Sequence, residues 1–213
     1  MFIELVDALR CPVAHEESWL VAASSRSEFR HIVEGTLGCP TCHAQYPIRR
    51  GVADFRRGAT SITTREVMPD EDEAARLAAF LDLTDRAGFA VLLGEWSAHA
   101  TILRGLVETP LIIVDPADGT EGEPGISVIR SDGELPLAAG SARGIAIDGG
   151  SEARIASAVR ATRPKGRIVA AASLPRPAGT TELARDERAW VAERDAASSP
   201  LVALHVRRAQ QDR

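Results

Sequence analysis

The sequence lacks long hydrophobic runs: none of its 213 residues belongs to an apolar stretch close to the roughly 18 that a membrane-spanning helix needs. It also lacks a secretory signal, because the N-terminus carries Glu4 and Asp7 rather than a basic region followed by an apolar run. A transmembrane segment is therefore excluded at this stage. We expect a cytoplasmic protein that contacts a membrane only through a partner.

Clustered positive charge is missing as well. The chain has 25 basic and 30 acidic residues spread along its length, with a formal net charge of -5. A basic stripe that would neutralise phosphates is not present, so nucleic acid is not an expected partner. The hydrophobic content of 45% is ample for a packed core, in one mid-sized domain plus a small one or in two small domains.

The chain has only three cysteines, all near the N-terminus: Cys11 in LRCP, and Cys39 and Cys42 in CPTC. In a chain without an export signal, such spacing indicates metal binding before it indicates a disulfide. Strand-like stretches at 19–23 and 29–33, separated by the polar turn SSRSE, lie between the two sites. Two knuckles separated by a β-hairpin are typical of a zinc ribbon, where metal replaces the core that about 55 residues can barely build.

LRCP, CPTC and the closing stretch YPIRRGVADF resemble the small zinc-ribbon family that activates methyltransferases and is also found fused to the front of bacterial methyltransferases. Such ribbons act by pairing with a methyltransferase-fold partner. In the first knuckle the family has a second cysteine where this chain has Ala14, with His15 one place further. The set Cys11, His15, Cys39 and Cys42 would supply a tetrahedral zinc shell with a purely structural role, since four protein ligands leave no open position. The alternative is that metal has been lost and the thiols are small buried hydrophobes.

The polar stretch after the ribbon predicts a domain boundary. We divide the chain into a zinc-ribbon-like domain at 1–57, a linker at 58–69 and an α/β domain at 70–213. The α/β domain is predicted to begin with a helix at 70–85, because acidic residues in the first turn suit the helix dipole and apolar residues follow on one face.

The α/β prediction starts from the stretch at 88–118. FAVLL and PLIIVD are buried-strand runs, and AHATILRGLVE between them has helical spacing, which together predict a β-α-β unit. Further strand-like runs fall at 126–129, 145–147 and 168–172, with a helix before the last. A terminal antiparallel hairpin is predicted from 189–193 and 201–206. The fold class is thus a mostly parallel, Rossmann-like sheet preceded by a small β domain.

Five parallel strands closed by a hairpin resemble the class I S-adenosylmethionine-dependent methyltransferase fold, over about residues 75–208. The resemblance implies that Gly94 belongs to the cofactor loop, that Asp115 meets the ribose and that Asp132 lies beside the adenine. Trp96 and Ala98 stand at the other two glycine positions of that loop, and the indole is expected to fill the space of the methionine moiety. The short connection from Asp115 to Ile126 leaves no room for the usual second helix.

Glu95 and Asp148 join Asp115 and Asp132 at the same predicted edge of the sheet, beyond the carboxyl ends of the strands. Four carboxylates there could bind a cation or an amine, and turn and helix-cap roles are the alternative. Ser97 is predicted as a helix N-cap, which would put Glu95 outside the helix. No catalytic residue is predicted, because the spacing gives no Ser-His-Asp or Cys-His arrangement.

Three functions follow from these patterns. The first is a non-catalytic, methyltransferase-like protein kept as a protein-binding or accessory subunit of a larger complex. It is favoured because the blocked loop, the thinned crevice wall and the altered knuckle are all changes at functional positions in a chain with an intact core pattern. The second is a divergent methyltransferase with S-adenosylmethionine held by Asp115 and Asp132. The third is a crevice for another nucleotide or metabolite, with Trp96 as a stacking platform.

Overall fold

The computed structural model describes residues 1–58 and 67–196, and these residues form one mixed α/β sheet. The strands are β1 (Val21–Glu28), β2 (His31–Gly38), β3 (Gln45–Arg49), β4 (Val52–Asp54), β5 (Ala90–Leu93), β6 (Leu111–Val114), β7 (Ile126–Arg130), β8 (Ala142–Ile147), β9 (Thr162–Ala171), β10 (Thr180–Arg185) and β11 (Ala189–Arg194). The helices are α1 (Glu71–Phe80), α2 (Ala100–Leu106) and α3 (Glu152–Ala161), with short 3-10 helices at Ile3–Ala8 and Gly94–His99. Across the sheet the strand order is β1-β2-β3-β4-β7-β6-β5-β8-β9-β11-β10.

The parallel centre of the sheet runs from β7 through β6, β5 and β8 to β9. Every residue of β5 and β6 is buried, because α1 and α2 cover one face while α3 and the first 3-10 helix cover the other. Strands buried on both faces are expected to be continuous apolar runs, and AVLL and LIIV are such runs. The predicted parallel strands are therefore confirmed.

The N-terminal strands continue the same sheet. Strands β1 to β4 form an antiparallel meander, and β4 then pairs in parallel with β7, where Val52 lies opposite Val128. The core is shared as well, since Leu5 and Leu9 belong to the same apolar cluster as Leu137. The N-terminal segment that the sequence predicts as a ribbon therefore belongs to the same sheet as the parallel strands. Of the predicted linker, residues 59–66 lie outside the described part of the chain.

The first hairpin turns at a different place from the one predicted. SSRSE belongs to the exposed edge strand β1, and the turn consists of Phe29 and Arg30, which have φ values of 45° and 63°. A two-residue hairpin loop with left-handed backbone at both positions is the type I′ geometry that matches strand twist. The prediction of a turn at 24–28 was wrong because the polarity of these residues reflects an exposed strand.

The terminal hairpin also has a different partner strand. Strand β11 lies between β9 and β10 and is antiparallel to both, so both of its edges are already paired. The predicted partner at 201–206 lies outside the described residues. Strand β10 carried no apolar signal, because five of its six residues are exposed.

Two helices begin as their sequences predict. The Asp70 carboxylate accepts a hydrogen bond from the Glu73 amide at 2.7 Å at the start of α1, and Ser151 caps α3 in the same way. No helix forms in the described connection between β6 and β7, as expected from its length. None of the described helices has the length and apolar character that crossing a bilayer requires.

Candidate metal centre and candidate crevice

Cys11, His15, Cys39 and Cys42 come together in the ribbon, and their ligand atoms all lie within 4.8 Å of one another. Cys39 and Cys42 follow β2 in a tight turn, in which the Cys42 amide donates to Cys39 Sγ at 3.5 Å. Cys11 and His15 come from the loop before β1. The structure thus brings together the four residues that the sequence selected.

The distances within this cluster fit a tetrahedral zinc shell. With bonds of about 2.3 Å to sulfur and about 2.0 Å to nitrogen, a tetrahedron has S–S edges of about 3.8 Å and S–N edges of about 3.5 Å. Cys11 Sγ lies 3.7 Å from Cys42 Sγ, and His15 Nε2 lies 3.5 Å from Cys39 Sγ. These two distances match edges of that tetrahedron, so His15 could supply its fourth ligand.

Contacts within the cluster favour the protonation states in which His15 and Cys39 bind a metal. His15 Nδ1 lies against the Glu16 carbonyl, so this nitrogen carries the proton and Nε2 keeps its lone pair for a metal. Burial alone would raise the pKa of the Cys39 thiol, but hydrogen bonds from the Cys42 amide and the Ser18 hydroxyl outweigh it and lower that pKa to about 6. A thiolate is the form that binds zinc.

At the other candidate site, Gly94 is in close contact with an internal carboxylate. Gly94 has φ of 58°, and a Cβ added there would lie 1.9 Å from Asp148 Oδ2. The same oxygen accepts the Glu95 amide at 2.5 Å, and burial raises the pKa of the Asp148 carboxyl. Because Gly94 has no Cβ, the Asp148 carboxylate can lie close to the backbone at this position.

The Asp115 carboxylate likewise accepts hydrogen bonds from other residues of the chain. Asp115 is 3% exposed, with φ of 52°, and Oδ2 accepts a hydrogen bond from Arg154 Nη2 at 2.6 Å. Oδ1 accepts the Ser131 amide at 2.9 Å. Arg154 also donates to the carbonyls of Ser131 and Gly133. A ribose would have to compete with the Arg154 guanidinium for this carboxylate.

A second arginine, Arg130, holds the connection between β6 and β7 in place. Arg130, at the end of β7, is 5% exposed and donates to the carbonyls of Pro116 and Ala117. Asp132 is exposed, and its carboxylate accepts the Arg57 amide at 3.2 Å. The acids at this edge of the sheet thus serve turns, caps and ion pairs, which is the alternative that the sequence left open.

The segment after β5 differs from the prediction. Gly94–His99 is a 3-10 helix, in which the Ser97 hydroxyl donates to the Gly94 carbonyl, so Ser97 is not an N-cap and Glu95 lies inside a helical turn. Trp96 is half-buried and packs against the apolar cluster that α1 and α2 form with the sheet. The expectation that the indole fills the methionine space stays a prediction.

A cavity of about 400 Å³ opens beside Gly94, over the place where the second helix is missing. Its walls include Ser97, Thr101 and Pro116, and the lining includes neither Trp96 nor Asp115 nor Asp132. Of the four residues that the resemblance assigns to the cofactor, Gly94 lines this cavity and the other three do not.

Comparisons with known proteins add little to this geometry. No protein-family profile and no curated protein matches the chain. One similar solved structure, described as a methyltransferase from an antibiotic biosynthesis pathway of Anabaena variabilis, aligns with a TM-score of 0.41 at 18% identity, over 49% of this chain and 46% of that one. Another, described as a sarcosine dimethylglycine methyltransferase of Galdieria sulphuraria, aligns with a TM-score of 0.36 at 14% identity, over 47% and 45%. The chain spans less than half the length of these neighbours, and likeness of this extent carries no argument about function.

Sequence reasoning missed Arg154 and Arg130. Both are arginines with no local motif, and the contacts that matter lie 39 positions away for Asp115 and 14 for Pro116. The only available signal was that Arg154 follows a capping serine by three residues, which places it in the first turn of a helix near the carboxyl ends of the strands.

Proposed function

We propose that this chain is a non-catalytic, methyltransferase-like protein that acts as an accessory, protein-binding subunit of a larger complex. The observation that carries the proposal is the buried ion pair between Asp115 and Arg154, whose side chains are 3% and 16% exposed. The acid that would hold a ribose already has its partner. The Asp148 carboxylate already occupies the space beside Gly94, the remaining glycine of the loop.

The energetic consequence is a weak cofactor site. Breaking a buried ion pair by taking away one partner costs about 3–5 kcal/mol. A ribose that displaced Arg154 would have to offset that loss, which weakens an otherwise micromolar site by about two to four powers of ten. Such a site would have a Kd of about 0.1 mM or weaker.

The ribbon fits the same proposal as a zinc-stabilised structural part. Its four ligands leave no coordination position for substrate, so zinc there would support folding and take no part in chemistry. Because β4 pairs with β7, the N-terminal meander is already joined to the parallel strands of the same chain. An external protein partner would therefore bind a surface other than this strand pair.

Calorimetry with S-adenosylmethionine and S-adenosylhomocysteine tests the non-catalytic part. We expect no saturable binding below about 0.1 mM ligand, for the wild-type chain and for the Asp132→Ala variant. Gel filtration of a native extract from the source cell tests the accessory part, and there the chain should elute well ahead of the purified protein. Micromolar cofactor binding, or a native chain that elutes with the purified one, would contradict the proposal.

The alternative function is a divergent S-adenosylmethionine-dependent methyltransferase with an unknown substrate. The cavity of about 400 Å³ beside Gly94 is the observation that favours it, because its volume is in the range of small-ligand sites. On this view Arg154 moves away when cofactor binds, and Asp115→Ala should abolish binding. Binding that survives that substitution would show that the role carried over to Asp115 is wrong.

A further inference from the structure

A second cleft lies at the opposite edge of the sheet, beside the amino ends of β6 and β7. It has a volume of about 570 Å³, and neither the metal centre nor the crevice uses it. Its walls combine two kinds of side chain. We call it the basic aromatic cleft and define it by Phe2, Phe29, Phe89, Arg30, Arg86 and Arg104.

Within the described parts of the chain, two of the three arginines form a direct ion pair with a carboxylate, whereas Arg104 acts on Glu108 only from a longer distance. Arg30 pairs with Glu4, and Arg86 pairs with Glu108 through two hydrogen bonds of 2.7 and 2.8 Å. The Arg104 guanidinium instead donates to the Val107 carbonyl at 3.0 Å. The balance of three arginines and two glutamates favours a ligand with a single negative charge.

Backbone geometry holds Arg104 in place. Gly125, just before β7, has φ of 90°, and a Cβ added there would lie 2.0 Å from Arg104 Nε. Only a glycine at this position leaves room for the guanidinium. The guanidinium therefore lies against the Gly125 backbone at the wall of the cleft.

Polar atoms without partners are concentrated at this cleft. Five buried side-chain atoms of the described residues lack a hydrogen-bond partner, and two of them are Arg104 Nε and His31 Nε2. His31 lines the cleft and is only 6% exposed. Because nearly all buried polar groups in native proteins are satisfied, two unsatisfied atoms in one wall indicate a place where a water or a ligand group belongs.

The phenylalanines supply the aromatic surface. Phe2 and Phe89 lie with ring centroids 6.3 Å apart, and Phe29, at the tip of the β1–β2 hairpin, is 92% exposed. A single exposed phenylalanine is ordinary on a protein surface. Here it lines a cleft with arginines, and guanidinium and phenyl planes together select flat, conjugated groups over small hydrated ions.

We propose that the basic aromatic cleft binds a small aromatic monoanion, of the aromatic carboxylate class. The carboxylate would lie against Arg104, and the ring would pack against Phe29 and the Phe2–Phe89 pair. This site is independent of the proposed accessory function, because it shares no residue with the metal centre or the crevice.

The test is a titration of the full chain with naphthoate, followed by two-dimensional amide NMR. We expect saturable shifts centred on the amides of Phe29, Arg104 and Gly125. Two matched probes separate the parts of the proposal: naphthalenemethanol keeps the ring without the charge, and cyclohexanecarboxylate keeps the charge without the ring. Each should bind about tenfold more weakly than naphthoate.

Variants locate the site. Phe29 is an exposed side chain, so Phe29→Ser should leave the fold intact while weakening the binding of naphthoate about fivefold. Arg104→Gln should weaken it about tenfold. Leu183→Ser, an exposed apolar residue on the far edge strand β10, is the control and should change nothing. Shifts centred elsewhere, equal binding of either matched probe, or naphthoate affinity unchanged in Phe29→Ser would overturn the proposal.

Discussion

In the ribbon, His15 stands one position after the place where the resembled family has a cysteine, and yet its Nε2 lies 3.5 Å from Cys39 Sγ, at a corner of the same tetrahedron. In the crevice, Gly94 and Asp115 match the methyltransferase pattern, and yet their contacts are with Asp148 and Arg154 of the same chain. In the N-terminal segment one residue of the resembled motif is replaced, and the four candidate ligand atoms still lie together. In the crevice two residues of the resembled motif are present, and their contacts are with other residues of the chain. A match to a motif and a match to a site are therefore separate observations.

The largest expected effect comes from removing a candidate ligand of the metal centre. His15→Ala should lower zinc affinity more than about 100-fold, and chelation of the wild-type chain should lower the free energy of unfolding by about 5 kcal/mol or more, since structural zinc is part of the folding energy. His43→Ala is the matched control, because this histidine adjoins Cys42 and lies outside the cluster. Zinc content by atomic absorption and thermal unfolding are the measurements. Equal zinc content in both variants would show that His15 is not a ligand.

The next effect concerns the buried ion pair of the crevice. Asp115→Ala should destabilise the chain by about 3–5 kcal/mol, because it leaves the Arg154 guanidinium unpaired. Asp132→Ala is exposed and should change the unfolding free energy by less than about 0.5 kcal/mol. Denaturant titrations of both variants measure the difference. Similar small effects from the two substitutions would mean that Asp115 is not held by Arg154.

A double-mutant cycle tests how Gly94 is used. Gly94→Ala should cost about 2–3 kcal/mol, since its Cβ would collide with Asp148 and the backbone is left-handed. In an Asp148→Ala background the same change should cost only about 1 kcal/mol, the strain of the backbone alone. Chemical unfolding of the four proteins of the cycle supplies the coupling. Additive effects would show that Asp148 does not fill the space beside Gly94.

The smallest effect is a pH dependence. Burial raises the pKa of Asp148 above its unfolded value, so the folded state binds more protons just above that value and the group costs stability as the pH rises. Asp148→Asn keeps an acceptor for the Glu95 amide without the charge. It should stabilise the chain at pH 7 by less than the effects above, with the gain disappearing in acid below the ordinary aspartate pKa. Unfolding at several pH values checks this, and a gain that is constant with pH would contradict it.

The sequence predicted the elements whose signal is local. Runs such as AVLL and LIIV are buried on both faces and gave the parallel strands, and Asp70 and Ser151 gave the starts of two helices. The turn at Phe29 and Arg30 and the strand β10 were missed, because their residues are exposed and carry no apolar pattern. The four metal-ligand candidates could be chosen by residue type and spacing, since the chain has three cysteines and His15 lies one position beyond the place of the family's second cysteine.

What the sequence determined by itself was the class of fold and the residues able to bind a metal, because apolar periodicity and side-chain chemistry are properties of short stretches. What only the tertiary structure decided was which carboxylate meets which guanidinium. Arg154 contacts Asp115, which lies 39 positions earlier in the chain, and Asp148 at the end of β8 contacts Gly94 at the end of β5. The side-chain contacts of the crevice therefore join parts of the chain that are distant in sequence. Such contacts are set by how strands and helices pack, and no local pattern records them.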